Sequence, residues 1–193
     1  GAHPGIGAFL PVFGQMMATG SYDIPKVEFS AESWVTTTVP MGAYRGAGRP
    51  EATHGIERIM DRYAVEIGMD PAELRRRNFI APEAFPFTTP SGQVYDSGAY
   101  ADALDAVLDA LGSEDLRADQ DRRRGDDECS LLGIGFAANV EIANPVRVPE
   151  FGSVTIRTDG SAVVLTGSSA HGLSHHTTFC LLYTSDAAQD MHC

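Results

Sequence analysis

The sequence predicts a mixed α/β (α+β) fold, strands combined with packed amphipathic helices, and three observations carry that prediction. Residues 56–67 and 100–111 place apolar side chains at helical spacing. Residues 26–39, and again those beyond 129, carry the β-branched content and turn signals of strands. Between the first strand-like stretch and the first of these helices lies VPMGAYRGAGRPE, Val39 to Glu51, with three glycines, two arginines and two prolines in thirteen residues.

A chain of 193 residues is long enough for one large domain or two small ones and for a real core. With 43% hydrophobic and 21% charged residues it reads as globular. The net charge of -12 argues against nucleic acid, since phosphate repels an acidic surface. No apolar run reaches the roughly 18 residues needed to span a bilayer, so no membrane role is expected. Three cysteines, odd in number and without CxxC spacing, point to a reducing, cytoplasmic compartment rather than to disulfides or zinc.

Taken in order, residues 1–20 are small and apolar, and Gly14 and Gly20 bracket a short predicted helix. Tyr22-Asp23-Ile24-Pro25 reads as a turn into an extended stretch. Val27, Val35, Thr36, Thr37, Thr38 and Val39 then favour strands over residues 26–39, with Trp34 as a core or interface anchor. Next comes a helix whose inner face is Ile56, Ile59, Met60, Tyr63, Ala64 and Ile67, with Gly68 as a left-handed cap and Glu57, Arg58, Asp61, Arg62 and Glu66 on the outer side. Asp70-Pro71-Ala72-Glu73 starts a second helix, lined inside by Leu74, Asn78 and Phe79. Its Arg75, Arg76 and Arg77 read as a solvated or salt-bridging face rather than a nucleic-acid patch.

Residues 82–97 form a long irregular crossing pinned by Phe85, Phe87 and Tyr95. A third helix runs from Gly98 to Leu111, with Ser97 as a possible cap and Tyr100, Leu104, Val107, Leu108 and Leu111 on one face. Residues 113–128 (SEDLRADQDRRRGDDE) are charged and without aromatics, an exposed linker or frayed helix. Leu131 to Ile142 reads as a strand. Ser153–Arg157 and Ser161–Thr166 form a hairpin about Thr158-Asp159-Gly160.

The glycine–arginine cluster is the candidate site. Glycines let a backbone turn through positive φ and approach a ligand closely. Arginines offer planar, permanently charged forks for oxyanions. A proline-led helix start leaves free N–H groups and the positive end of a helix dipole facing the loop. A Gly-rich connection with two solvated arginines is the plain alternative.

The strings GAYRGAGRPEA, GMDPAELRRRNFI and FPFTTPSGQVYDSGAY, in that order, resemble the molybdenum-binding large subunit of the xanthine dehydrogenase/aldehyde oxidase family. The nearest branch is the carbon-monoxide-dehydrogenase-like one, and the resemblance runs from about Gly1 to Phe179. Those subunits are several times longer, so an internal fragment of the cofactor-binding domains is expected. Residues 1–112 would end a first molybdenum cofactor-binding subdomain, 113–128 would be the charged linker, and 129–179 would begin a second. Residues 180–193 (CLLYTSDAAQDMHC) depart from the family and read as an unassigned, artefactual tail, and the family's glutamate base would lie outside the chain.

The resemblance implies a cofactor-binding set of Arg45, Gly46, Ala47, His171 and Gly172. Arg45 matches the arginine of the loop that lies against the molybdenum centre. Gly46 stands where true carbon monoxide dehydrogenases carry a copper-binding cysteine, and having no thiolate it points to a hydroxylase instead. Ala47 replaces a substrate-stacking aromatic of some relatives, which implies a roomier pocket. His171 and Gly172 match a second loop, usually HGQGHETT, that contacts the pterin. Leu173, Ser174 and His176 depart from it, and leucine lacks the glutamine's hydrogen bonds. Phe136 is the candidate substrate-side aromatic, with a core role as its alternative.

The implied cofactor is molybdopterin, in a cytosine dinucleotide form. The implied partners are an iron–sulfur subunit and a flavin (FAD) subunit, and the implied substrates are aldehydes, heterocycles or similar small molecules oxidised with water as oxygen source. No catalytic residue and no protein-ligated metal is assigned within the chain. His171, His175 and His176 lack a nearby carboxylate for a metal set, and no GxSxG supports a serine hydrolase. Two alternatives stand beside this reading: a non-redox phosphate- or nucleotide-binding module, and a truncated chain inactive on its own. The first lacks both the Lys-Ser/Thr ending of a P-loop and the strand–GxGxxG–helix order.

Overall fold

In a computed structural model, residues 1–3, 5–126, 129–142, 149–169, 172, 174, 175 and 177 are described. They fall into two compact units, Gly1–Glu141 and Ile142–Cys193. Helices and short strands both occur, as the mixed fold class requires. No helix among the described residues is long and apolar enough to cross a membrane.

The first unit is built on helices. A 3₁₀ turn, Ile6–Phe9, leads into α1, Leu10–Met16. The predicted helix therefore begins earlier than the Gly14–Gly20 bracket, with Pro11 in its first turn, where a missing N–H costs nothing. Helix α2, Arg49–Glu66, also carries a proline, Pro50, in its first turn. It stops at Gly68, whose φ of 65° lets Met69 N–H reach back to the Ala64 carbonyl at 2.9 Å. Helix α3, Pro71–Asn78, has the expected cap: Asp70 Oδ1 accepts from the Ala72 and Glu73 amides at 2.8 and 3.0 Å.

The core joins these helices to the chain that precedes them. Tyr22, Met60, Ala64, Leu74 and Phe79 pack together. Tyr22 stacks on Phe79 with ring centroids 5.4 Å apart, and the two residues form an antiparallel bridge. Tyr100 meets Phe79 and Phe85 edge-on, bringing helix α4, Tyr100–Leu111, and the 82–97 crossing to the same cluster. The crossing is pinned as its aromatics predict. Strands β1, Phe87–Thr88, and β2, Val94–Tyr95, form a small hairpin. Tyr95 donates to the Gly20 carbonyl, and Ser91 Oγ donates to the Met16 carbonyl at 2.8 Å.

Several sequence expectations are corrected. Residues 26–39 and Leu131–Ile142 form no strand among the described residues. β-Branched residues favour an extended backbone, but a ladder needs a partner strand. The first stretch finds only two bonds to the chain start, Ala2 N to Thr38 O and Thr36 N to Gly1 O. Trp34 is 75% exposed, not a core anchor. On α2, Ile59, Tyr63 and Ile67 are exposed, whereas Glu57, placed on the outer side by its charge, is buried. Of the two readings of residues 113–128, exposed linker or frayed helix, Ser113–Gly125 take the helical one as α5, whose acidic first-turn and basic last-turn residues suit its dipole. Ser97 does not cap α4; its own amide bonds the Asp96 carboxylate instead.

Arg75 takes the salt-bridging alternative of its triplet and overturns the solvated one: it is 0% exposed and the bulkiest fully buried side chain described. Its guanidinium donates to Glu57 Oε2 at 2.8 and 2.9 Å, to Asp61 Oδ1 at 2.9 Å and to the carbonyls of Pro71 and Phe136, each at 3.1 Å. Glu57, 5% exposed, accepts a further bond of 2.6 Å from the Tyr22 hydroxyl. A buried charge is tolerable only when so matched. Arg76 pairs with Asp105 on α4 and Arg77 with Glu73, the salt-bridging role expected of the triplet.

The second unit contains the predicted hairpin, with strands β3, Gly152–Ile156, and β4, Ala162–Thr166, paired from Gly152↔Thr166 to Ile156↔Ala162. Gly160 turns at φ 86°, and Asp159 Oδ1 accepts from the Ser161 amide and hydroxyl. The hydroxyl bond, then the amide bond, hold the Asp159 carboxyl below the usual carboxylate range.

Candidate functional site

The glycine–arginine cluster folds into a tight corner at the start of α2. Ala47 N–H bonds the Tyr44 carbonyl at 2.7 Å, and Gly46, Ala47 and Gly48 all have positive φ, at 96°, 44° and 89°. Glycine supplies that geometry twice without strain, and Ala47 is carried through it between them.

The corner is seated by packing as well as by torsion. A β-carbon at Gly48 would lie 2.2 Å from the Leu10 carbonyl oxygen and 3.1 Å from the Gly14 amide, so this glycine allows the corner to press on α1. Gly14 reciprocates, its would-be β-carbon 3.2 Å from the Gly48 carbonyl. Gly46 is closed on its other side by the Pro50 ring, with a would-be β-carbon 2.5 Å from a ring carbon.

The two arginines do different work. Arg45 is exposed, and among the described residues its guanidinium has no hydrogen bond and no ion pair. The amides of Arg45, Gly46 and Gly48 likewise have no acceptor among the described residues. Arg49 is largely buried, 16% exposed, and engaged through its Nε. Its Nε donates to the Gly46 carbonyl at 2.8 Å and lies 2.7 Å from Glu141 Oε1, while its guanidinium carbon sits 5.9 Å from the centre of the Phe13 ring. Residue type and spacing treat the two arginines alike, and only the family resemblance singles out Arg45. Spacing could not distinguish them, because the partner that fixes Arg49 lies at the far end of the first unit.

The structure thus brings Arg45, Gly46 and Ala47 into one corner that offers a cation and free N–H donors. That donor set suits an oxygen-rich, anionic group such as a phosphate or a molybdenum-bound oxygen. A cavity of about 400 Å³ opens beside it, bordered by Leu10, Trp34, Met41, Gly48 and Glu51 among others. Phe136 lies elsewhere in the first unit: its carbonyl accepts from Arg75, and its ring lies 5.7 Å from the Arg117 guanidinium carbon. The residue is half-buried and stands outside the buried cluster of the first unit.

In the second unit, Gly172 has φ 86°, and His175 Nε2 lies 3.0 Å from Ser168 Oγ. His171, Leu173, His176 and the 180–193 tail lie outside the described residues. No group of three or more metal-ligating side chains occurs among the described residues.

A helix-seated corner of this kind, in a mixed fold, has the donor set that proteins holding anionic cofactors use. Residues 1–79 match the family model described as the molybdopterin cofactor-binding domain. The chain is 39% identical over 183 residues to the carbon monoxide dehydrogenase large chain of Hydrogenophaga pseudoflava, covering 88% of this chain and 23% of that protein. It is 33% identical over 173 residues to the nicotine 6-hydroxylase large subunit of Paenarthrobacter nicotinovorans, covering 83% of this chain and 20% of that protein. The structure resembles quinoline 2-oxidoreductase from Pseudomonas putida 86 with a TM-score of 0.66 and 27% identity, over 87% of this chain and 22% of that one. The chain belongs to the molybdopterin-binding large-subunit family of xanthine dehydrogenase/aldehyde oxidase type, and it spans about a quarter or less of the relatives it matches.

Proposed function

We propose that the chain supplies part of the molybdenum-cofactor cradle of a molybdenum hydroxylase large subunit. The observation that carries the reading is the unpaired Arg45 guanidinium on a corner whose neighbouring amides are also unpaired. When bound, the cofactor supplies the redox chemistry by which a C–H bond gains an oxygen from water. The residues of this chain hold and orient it. Arg45 and the amides of Gly46 and Gly48 donate charge-assisted hydrogen bonds to its oxygens. Ala47 keeps the corner small on the substrate side, and His171 and Gly172 would contribute a second loop.

The reading extends to residues 1–112 and 129–179 as pieces of two successive cofactor-binding subdomains, to a cytosine dinucleotide form of molybdopterin, and to partner subunits carrying FAD and iron–sulfur clusters. Phe136 takes a place on the substrate side through the family resemblance alone. Aldehydes, heterocycles or similar small molecules are the proposed substrates, a class consistent with the names of the nicotine and quinoline relatives. A copper-free site is favoured at Gly46. There the Pro50 ring leaves no room for a side chain without movement, and no thiolate is available.

The test is elemental analysis of the holoenzyme together with pterin fluorescence after denaturation. Molybdenum and pterin in equal amounts support the reading. A preparation that binds nucleotide or phosphate and holds neither would instead identify the non-redox module.

A further inference from the structure

We infer that Glu141 is a positioning residue for the cofactor corner, acting through Arg49. The inference rests on the proposed role of that corner. Arg49 is the only side chain seen to bond a carbonyl inside the corner among the described residues, and it does so through one nitrogen. That same Nε faces Glu141 Oε1 at 2.7 Å, while the flat guanidinium sits near Phe13 on α1. Three parts of the chain therefore converge on one cation: α1, the corner, and the 129–142 segment.

The arrangement needs its carboxylate. An arginine side chain only 16% exposed has lost most of its contact with water, and a neutral carbonyl and an aromatic ring do not replace a counter-charge. Without Glu141 the low-energy course for Arg49 is to swing toward solvent. It would then withdraw its side-chain bond and leave the Gly46 carbonyl to the Arg49 amide alone, loosening the torsions that present the Arg45, Gly46 and Gly48 amides. The segment that carries Glu141 is itself fastened upstream, where the Phe136 carbonyl meets Arg75 and the Leu132 carbonyl meets Gln120 on α5. Glu141 thus transmits the placement of that segment to the corner. Glu141 itself is half-exposed, so replacing it leaves no buried charge behind.

Hydrogen exchange in the 193-residue chain reads this directly at the Ala47 and Arg49 amides, which bond the Tyr44 and Gly46 carbonyls. Glu141→Gln is expected to speed exchange at both by about fivefold, the worth of a partly buried ion pair, and to leave the Met60 and Ala64 amides of α2 unchanged. The charge swap Arg49→Glu with Glu141→Arg restores the pair but puts no side-chain donor at position 49. It is therefore expected to leave the corner as loose as Glu141→Gln. Unchanged exchange in Glu141→Gln, or wild-type protection in the swap, would overturn the inference.

Molybdenum content of the holoenzyme separates this from the functional reading. If Arg45→Ala strips molybdenum while Glu141→Gln alters neither metal nor exchange, the positioning role alone falls. If Glu141→Gln loosens the corner while Arg45→Ala keeps its molybdenum, the cofactor reading falls and the positioning contact stands.

Discussion

Replacing Arg75 with methionine tests the structural half of the account most severely. Methionine keeps much of the volume and removes the charge. Glu57 then keeps only the Tyr22 hydroxyl as a partner while remaining 5% exposed. Breaking a buried pair from one side typically costs about 3–5 kcal/mol. Asp61 is partly exposed and recovers water, so the cost is centred on Glu57. Against a typical stability of about 5–15 kcal/mol such a loss is severe. In urea, with a slope of about 2 kcal/mol per molar, it moves the midpoint of the 193-residue chain down by about 2 M. The triple replacement Tyr22→Phe, Glu57→Leu and Arg75→Met removes the three buried side chains of the network together and leaves only the part-exposed Asp61 and two carbonyls. It should recover most of the loss, because buried ion pairs exchanged whole for apolar groups are often neutral. The assay is urea unfolding followed by far-ultraviolet circular dichroism. A single-replacement cost below about 1 kcal/mol would refute the reasoning, since that is the scale of a solvated surface pair.

Two further predictions concern the same unit. Burial first, and then the Glu57 bond, hold the Tyr22 hydroxyl protonated far above the usual tyrosine range; burial pushes Tyr95 up to about 12, and burial then Asp96 raises Tyr100. The folded state therefore binds more protons than the unfolded chain above a pH of about 10, so this stabilisation is complete below pH about 10 and is lost as pH rises through the folded values. Phenolate absorbance should show a late step that coincides with unfolding, and independent ionisation of all six tyrosines in the folded chain would contradict this. Gly48→Ala sets a β-carbon against the Leu10 carbonyl at positive φ and should destabilise by at least about 2 kcal/mol. Gly42→Ala, which meets open space, should change stability by no more than about 0.5 kcal/mol, and equal thermal melting of the two variants would be the adverse result.

Features set by neighbouring residues were legible in the sequence. The Asp70 cap, the Gly68 stop and the Asp159-Gly160 turn each need only a few adjacent groups, and each stands where composition placed it. Features that depend on remote partners were not. Nothing near Glu57 in sequence marks it for burial, because Arg75 and Tyr22 reach it from other elements. Nor could β-branched content alone create a strand in residues 26–39 without a second strand to pair with. The corner shows both cases at once. Its glycines declare a tight turn, yet the division of labour between free Arg45 and engaged Arg49 depends on Glu141, many residues away.

The central claim is that the Arg45 guanidinium grips the cofactor's oxygens. The most direct measurement is the molybdenum and pterin retained by holoenzyme carrying Arg45→Ala after exhaustive dialysis. Loss of a charge-assisted bond worth about 1.5–3 kcal/mol should weaken retention by about tenfold or more, with the fold intact by circular dichroism. Arg45→Lys, which keeps the charge and loses the fork, should fall between. Full molybdenum and pterin in Arg45→Ala would contradict the account.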